Sequence, residues 1–487
     1  MPSTPNPLTL AARLTPGFQM GAATAAAQIE GGSHEGGRTD SIWDAWSRVP
    51  GNIADRSDTS VTADHFHRYR EDVALMRELG LDAYRFSFSW TRLQPGGAGA
   101  ISAAGAEFYD RLLDELLEAN ISPMATLFHW DLPVEYTHGW LDRDTAQRFG
   151  EFAGLVGERF GDRIDKWVTL NEPATVTLNG YALGLHAPGQ SLLFDALPTV
   201  HHQLLGHGLA TQALRAAGVR GGIGITNTHT PVIPASDAPE DHLMAALFDV
   251  VHNRVFADPV LLGHYPQVPD ELADLFGAFS AVDEADLATI HQPLDFYGLN
   301  YYMPSLIGAG AGDGESPDGT SEAMTALPFH LKELDGYPQT AFGWPIAPEY
   351  FATAMGEMRE RYGEVLPPVY ITENGASFTD EVAADGSVDD PQRIAYVHDH
   401  LSAILDATSP GGVAEGIDLR GYFVWSLMDN WEWAAGFQQR FGLVHIDFDS
   451  LVRTPKASYR WLQQVLAARP AAPTLGQEAA SGQEAAQ

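Results

Sequence analysis

Eight short runs rich in β-branched and aromatic residues recur along the chain, at 18–25, 83–90, 122–130, 166–171, 222–228, 294–302, 368–373 and 421–427. Runs this short and this apolar read as parallel strands buried on both faces. The stretches between them are amphipathic. Phe66, Tyr69, Val73 and Met76 recur at three- and four-residue steps, and Gly80 follows as a C-terminal cap. Eight strand-helix units in about 450 residues predict a closed (β/α)8 barrel, the TIM barrel, with long βα loops. A doubly wound dinucleotide sheet would open on a glycine fingerprint. Gly222-Ile223-Gly224 lacks its third glycine and its distant acid, and reads as close strand packing.

The 487 residues, 45% of them hydrophobic, supply a large core. The barrel is expected over 18–467, with 1–17 as an N-terminal extension and 468–487, where Gly-Gln-Glu-Ala-Ala occurs at 476 and again at 482, as a low-complexity, disordered tail. Five glycines among small and acidic residues make 308–323 read as a surface loop. Residues 1–17 lack a basic region followed by an apolar one, and no run reaches about 18 apolar residues, so the expectation is a cytoplasmic protein with no membrane span. A net charge of −36 repels nucleic acid and anionic lipid. With no cysteine there is no thiolate chemistry. His65/His67 and His201/His202 lack an acidic partner at metal-ligand spacing, so neither metal nor cofactor is expected. Asp40, Asp44, Asp64 and Asp72 read as solvated or capping charges, and no signal of oligomeric state is present.

Barrel chemistry gathers where the strands end. There the sequence offers Gln28 and Glu30 after the first run, Arg85 in the second, His129-Trp130-Asp131 after the third and Asn171-Glu172-Pro173 after the fourth. The sixth ends Asn300-Tyr301-Tyr302, the seventh Glu373-Asn374-Gly375, and the eighth leads to Trp425 and Asn430-Trp431-Glu432-Trp433. The fifth gives Asn227 and His229, without a role. Amides and carboxylates suit paired hydroxyls, and indole faces suit the C–H patches of a pyranose. Glu172 and Glu373 end the fourth and seventh runs, three strands apart and so nearly across the mouth, where a sugar between them meets a carboxyl on each face. Pro173 keeps Glu172 out of the right-handed helical region. Taken singly, a strand-end glutamate is more often a salt-bridge or capping group, and Trp90, Trp130, Trp167 and Trp344 are equally at home in a core.

Thr169-Leu170-Asn171-Glu172-Pro173 together with Ile371-Thr372-Glu373-Asn374-Gly375 resembles glycoside hydrolase family 1, the β-glucosidase family. The likeness runs from Phe18 to about Trp461 and takes in Gln28-Ile29-Glu30-Gly31, Tyr84-Arg85-Phe86-Ser87, His129-Trp130-Asp131-Leu132-Pro133, Asn300-Tyr301-Tyr302 and the block from Trp425 to Trp433. It implies a single barrel that hydrolyses β-glycosides with retention, Glu172 as acid/base and Glu373 as nucleophile. Retention sets the two carboxyls about 5–5.5 Å apart. By the same likeness Arg85, Tyr302 and Asn300 support the nucleophile, while Gln28, His129, Trp130, Asn171, Trp425, Glu432, Trp433 and Phe441 form the sugar subsite. Trp344 and Ala174 fall on the aglycone side.

Relatives that cleave 6-phosphoglycosides place Ser, Lys and Tyr where this chain has Glu432, Gln439 and Phe441, so a 6-phosphate is disfavoured. Ala174 stands where many relatives carry Trp, which predicts a wider entrance for bulky aryl or isoprenoid aglycones. The expected substrate is a small β-glycoside and the expected activity an exo-β-glucosidase, with a broad β-galactosidase/β-fucosidase as alternative. A non-catalytic sugar-binding barrel is disfavoured because both acids are kept. A Schiff-base aldolase is disfavoured because Lys166 starts its strand, at the wrong end of the barrel, and Lys332 and Lys456 lie outside the runs.

Overall fold

A computed structural model describes residues 4–279, 282–316 and 319–470. Eight strands close into a parallel barrel: β1 (Gln19–Ala23), β2 (Ala83–Ser87), β3 (Ser122–Phe128), β4 (Lys166–Asn171), β5 (Gly222–Thr228), β6 (Phe296–Asn300), β7 (Val369–Asn374) and β8 (Leu419–Trp425). Each pairs with the next, and β8 returns to β1 in the register Gln19↔Gly421 to Ala23↔Trp425. The expected runs coincide with these strands to within a few residues at each end. The helices wrap the outside. His65–Leu79 buries Tyr69, Val73 and Met76 and stops at Gly80, whose φ of 86° lets its N–H reach the carbonyls of Met76 and Arg77. Gly224 meets the expectation of close packing, since a Cβ there would lie 2.5 Å from the Phe296 carbonyl oxygen.

Two sequence expectations are corrected. The stretch 308–323 is not simply a surface loop. Strand Ser305–Ala309 extends into it and pairs with Phe329–Lys332 and Val232–Pro234, while Glu315–Ser316 pairs with Gly319–Thr320. Alternating small residues hide the strand signal because Gly308 must let the His330 ring lie close. Nor are all four aspartates solvated. Asp44 caps helix Ile42–Ser47 but is buried and paired with Arg38 at 2.8 Å, and buried Asp72 joins His65 at 2.7 Å to Arg453 at 2.9 Å. Arg453 reaches Asp72 from 381 residues along the chain, beyond what local spacing reveals.

Leu10, Ala11 and Leu14 of the N-terminal segment are buried, and Trp461 donates to the Pro5 carbonyl at 2.9 Å. The last helix ends at Ala468, and residues 471–487, where the tail was expected, lie outside the described residues. Among the described residues no helix is long and apolar enough to cross a membrane, and no group of three or more His, Asp or Glu could hold a metal.

Candidate active site

A cavity of about 590 Å³ opens at the C-terminal ends of the strands. Its walls include Glu172 from the end of β4 and Glu373 from β7, with His129, Trp130, Tyr302, Trp425, Glu432 and Trp433 around them. Both acidic strand ends are irregular. The β4–β5 register shifts between Val168 and Asn171, and β7 shifts against both neighbours between Ile371 and Asn374. Such bulges turn side chains that strict alternation would send elsewhere.

Backbone strain gathers at the same place. Trp130, Glu172 and Trp433 all line the cavity and are left-handed, with φ of 73°, 47° and 47°. Each such residue costs about 1–3 kcal/mol and persists only where its surroundings fix it. Pro173 bars Glu172 from the right-handed region as expected, but the outcome is left-handed rather than extended. Its N–H is held by the Thr226 carbonyl at 2.9 Å. Glycine after Asn374 has a steric cause, because a Cβ on Gly375 would lie 1.7 Å from the Trp425 carbonyl oxygen.

The two carboxyls have opposite surroundings. Glu373 accepts from the Arg85 guanidinium on Oε1 and from the Tyr302 hydroxyl at 2.7 Å on Oε2. Arg85 also donates to Asn171 Oδ1 at 2.7 Å. Glu172 accepts from Asn300 at 2.7 Å and from the Thr175 hydroxyl at 2.8 Å, both neutral groups. Burial, then the neighbouring Glu373 charge, pushes Glu172 up to about 7. Asn300 ties the pair together: its amide also reaches Asn171 Oδ1 at 3.1 Å, and its own oxygen accepts from Thr372 at 2.7 Å. The two acids thus sit in unlike surroundings within one hydrogen-bond network.

On the other side of the cavity Gln28 donates to Glu432 at 3.1 Å and to Asn430 at 3.0 Å, leaving its Oε1 buried without a protein partner. His129 accepts from Asn171 at 3.0 Å through Nε2, and its Nδ1 is buried and unpartnered. Burial and Arg85 keep the imidazole neutral, far below its usual range, so Nδ1 carries the proton and is a donor in waiting. Glu432 is pushed up to about 8 by burial and by Glu373. Unpaired buried polar atoms beside this cavity are costly alone and fit a ligand rich in hydroxyls. Trp425 lies nearly parallel to the His129 ring at 5.9 Å, and Trp433 sits 4.5 Å from Trp130.

The chain belongs to glycosyl hydrolase family 1. The Glycosyl hydrolase family 1 model matches residues 10–470. Beta-glucosidase A of Acetivibrio thermocellus is 40% identical over 451 residues, covering 92% of this chain and 97% of that protein. A bifunctional beta-D-glucosidase/beta-D-fucosidase of Bifidobacterium breve is 39% identical over 466 residues, 93% of this chain and 97% of that protein. Among solved structures, the psychrophilic beta-glucosidase BglU from Micrococcus antarcticus superposes with a TM-score of 0.88 at 44% identity, covering 95% of this chain and 99% of that one.

Within this family 1 fold the structure brings nearly all the sequence-read site residues together. Trp344 lines the cavity, stacked on Phe342 at 4.7 Å, and Phe441 borders it. Trp90 and Trp167 are core residues. Ala174 is the exception: it is 1% exposed and packed beneath the cavity, while Thr175 and Asn179 of the following helical turns form the wall. Ala174 itself is not part of the cavity lining. His229, left without a role above, lines the wall and pairs with the Tyr297 hydroxyl at 2.8 Å, as does Asn227. Sequence reasoning missed Trp46, Thr175 and His252 on the cavity wall. They lie on helical segments, where no strand-end rule points to them.

Proposed function

We propose that the protein is a retaining, exo-acting β-glucosidase that releases terminal glucosyl units from β-glucosides. The observation that carries this is the unequal pair of carboxyls: Glu373 bonded to the Arg85 guanidinium and the Tyr302 hydroxyl, and Glu172, beside it, pushed up to about 7 by burial. Glu373 attacks the anomeric carbon while Glu172 gives its proton to the leaving oxygen. In the second step Glu172, now a carboxylate, takes a proton from water, and the hydroxide displaces Glu373 from the same face on which the leaving group stood. Gln28, His129, Glu432 and Trp433 bind the sugar hydroxyls, with Trp425 against the ring. The printed names of the relatives support glucosides as substrates, and the Bifidobacterium breve relative supports β-fucoside cleavage as a side activity. The test is turnover of aryl β-glucoside, β-galactoside and β-fucoside alongside cellobiose. Glucosides lead the expected profile, and Glu373→Ala abolishes turnover of all four while sugar binding persists. Normal hydrolysis by Glu373→Ala overturns the proposal.

A further inference from the structure

A second cavity, of about 150 Å³, lies beside the catalytic one, between the wide π-helical stretch Val176–Ala182 and the sheet that includes Ser305–Ala309 and Phe329–Lys332. Its lining is largely apolar, with Ala182, Leu197, Phe248, Val251, Met324 and Phe329 contributing. Thr175, Asn179, Leu185, His252, Met303 and Ser305 line both cavities, so the two adjoin at these side chains.

Hydrogen bonding shows which side of the scissile bond that junction faces. Thr175 donates to Glu172, the group that protonates the leaving oxygen. The leaving group therefore sits against Thr175. His129, Glu432 and Trp433, on the sugar side, line the catalytic cavity only. Polar side chains such as Thr177, Glu315 and Ser316 also border this cavity, but apolar surface, with Ala182, Leu197, Phe248 and Val251 in it, makes up most of the lining. A hydrocarbon suits that surface, and an apolar cavity of this size accepts a group about as large as benzene.

We infer that this side cavity binds an apolar tail on the aglycone, as in an n-alkyl β-glucoside. The inference rests on the assignment of Glu172 and on glucosides as substrates. Each methylene leaving water for such a cavity strengthens binding roughly three- to fourfold. The tail is remote from the reacting bonds and binds ground and transition states alike, so the gain appears in KM while kcat stays level.

The experiment is steady-state kinetics on n-alkyl β-D-glucosides from methyl to octyl, with the wild type and with Ala182→Leu and Val251→Phe, two positions that line the side cavity alone. The expected result is a KM that falls about threefold per added carbon and then levels off once the cavity is full. The levelling comes earlier in either filled variant, and methyl glucoside turnover is unchanged. One folded filled variant suffices. Methyl glucoside cleaved with a KM flat across the series overturns this inference and leaves the proposed activity intact, as does an unshifted plateau in a filled variant. Absence of turnover on every glucoside removes the activity itself.

Discussion

Replacing Glu172 with Gln keeps the shape of the side chain and an acceptor for Asn300 but removes the proton that the leaving group needs. With Glu172 pushed up to about 7, half of the molecules carry that proton at pH 7. At the ordinary value of 4.5 about one in 300 would, so burial beside Glu373 enlarges the active population about 150-fold. The assay is kcat/KM from pH 5 to 9 on glucosides with good and poor leaving groups, which reports the free enzyme. The wild type loses activity about tenfold per pH unit above 7 on poor leaving groups. In Glu172→Gln those substrates slow by about 10²–10⁴, activated aryl glucosides far less, and the alkaline limb near 7 disappears. A remaining limb about one unit higher belongs to Glu432 and goes with Glu432→Gln. Folding gives a second readout. A buried acid with a raised pKa contributes full stability below 4.5 and loses it as pH rises through about 7, a loss of about 3 kcal/mol. Glu172→Gln is therefore more stable than wild type at pH 8 and equal to it at pH 4. An alkaline limb still at pH 7 in Glu172→Gln refutes the reasoning.

Tyr302→Phe removes one hydrogen bond from an ionised carboxylate, worth about 1.5–3 kcal/mol, so kcat/KM on aryl glucosides falls about 10- to 100-fold with the fold intact by circular dichroism. Ala174→Trp overpacks a buried site, so Tm drops by the equivalent of about 1–3 kcal/mol, whereas a wall position would change aglycone preference at constant Tm. Lys456→Met removes a cation shared by Asp380 and Asp429, which keep Arg393 and Arg440, and destabilises the protein by about 1.5–3 kcal/mol in chemical denaturation.

The barrel was legible because the strands are largely buried and mostly apolar before they reach the mouth, as Val369-Tyr370-Ile371-Thr372-Glu373 illustrates. The polar residues that collect at the strand ends were legible for the same reason, each breaking an apolar run. What stayed hidden depends on partners distant in the chain. Arg453 meets Asp72 from the far end of the sequence, and Lys456 lies under Asp429, on the segment that leads to Glu432. Thr175 reaches Glu172 only because one helical turn follows Pro173, which equally turns Ala174 inward. The strands within 305–332 escaped notice because glycine at 308 and 312 serves close approach to His330 and weakens any β pattern.

In the proposed mechanism one buried glutamate bonds to the sugar while its neighbour protonates the leaving oxygen and then activates water. Time-resolved proton NMR of glucose freshly released from a β-glucoside tests it most directly. Two displacements on opposite faces give β-glucose first, with the α anomer growing only as mutarotation proceeds. Initial release of α-glucose would mean a single displacement by water and would contradict the account.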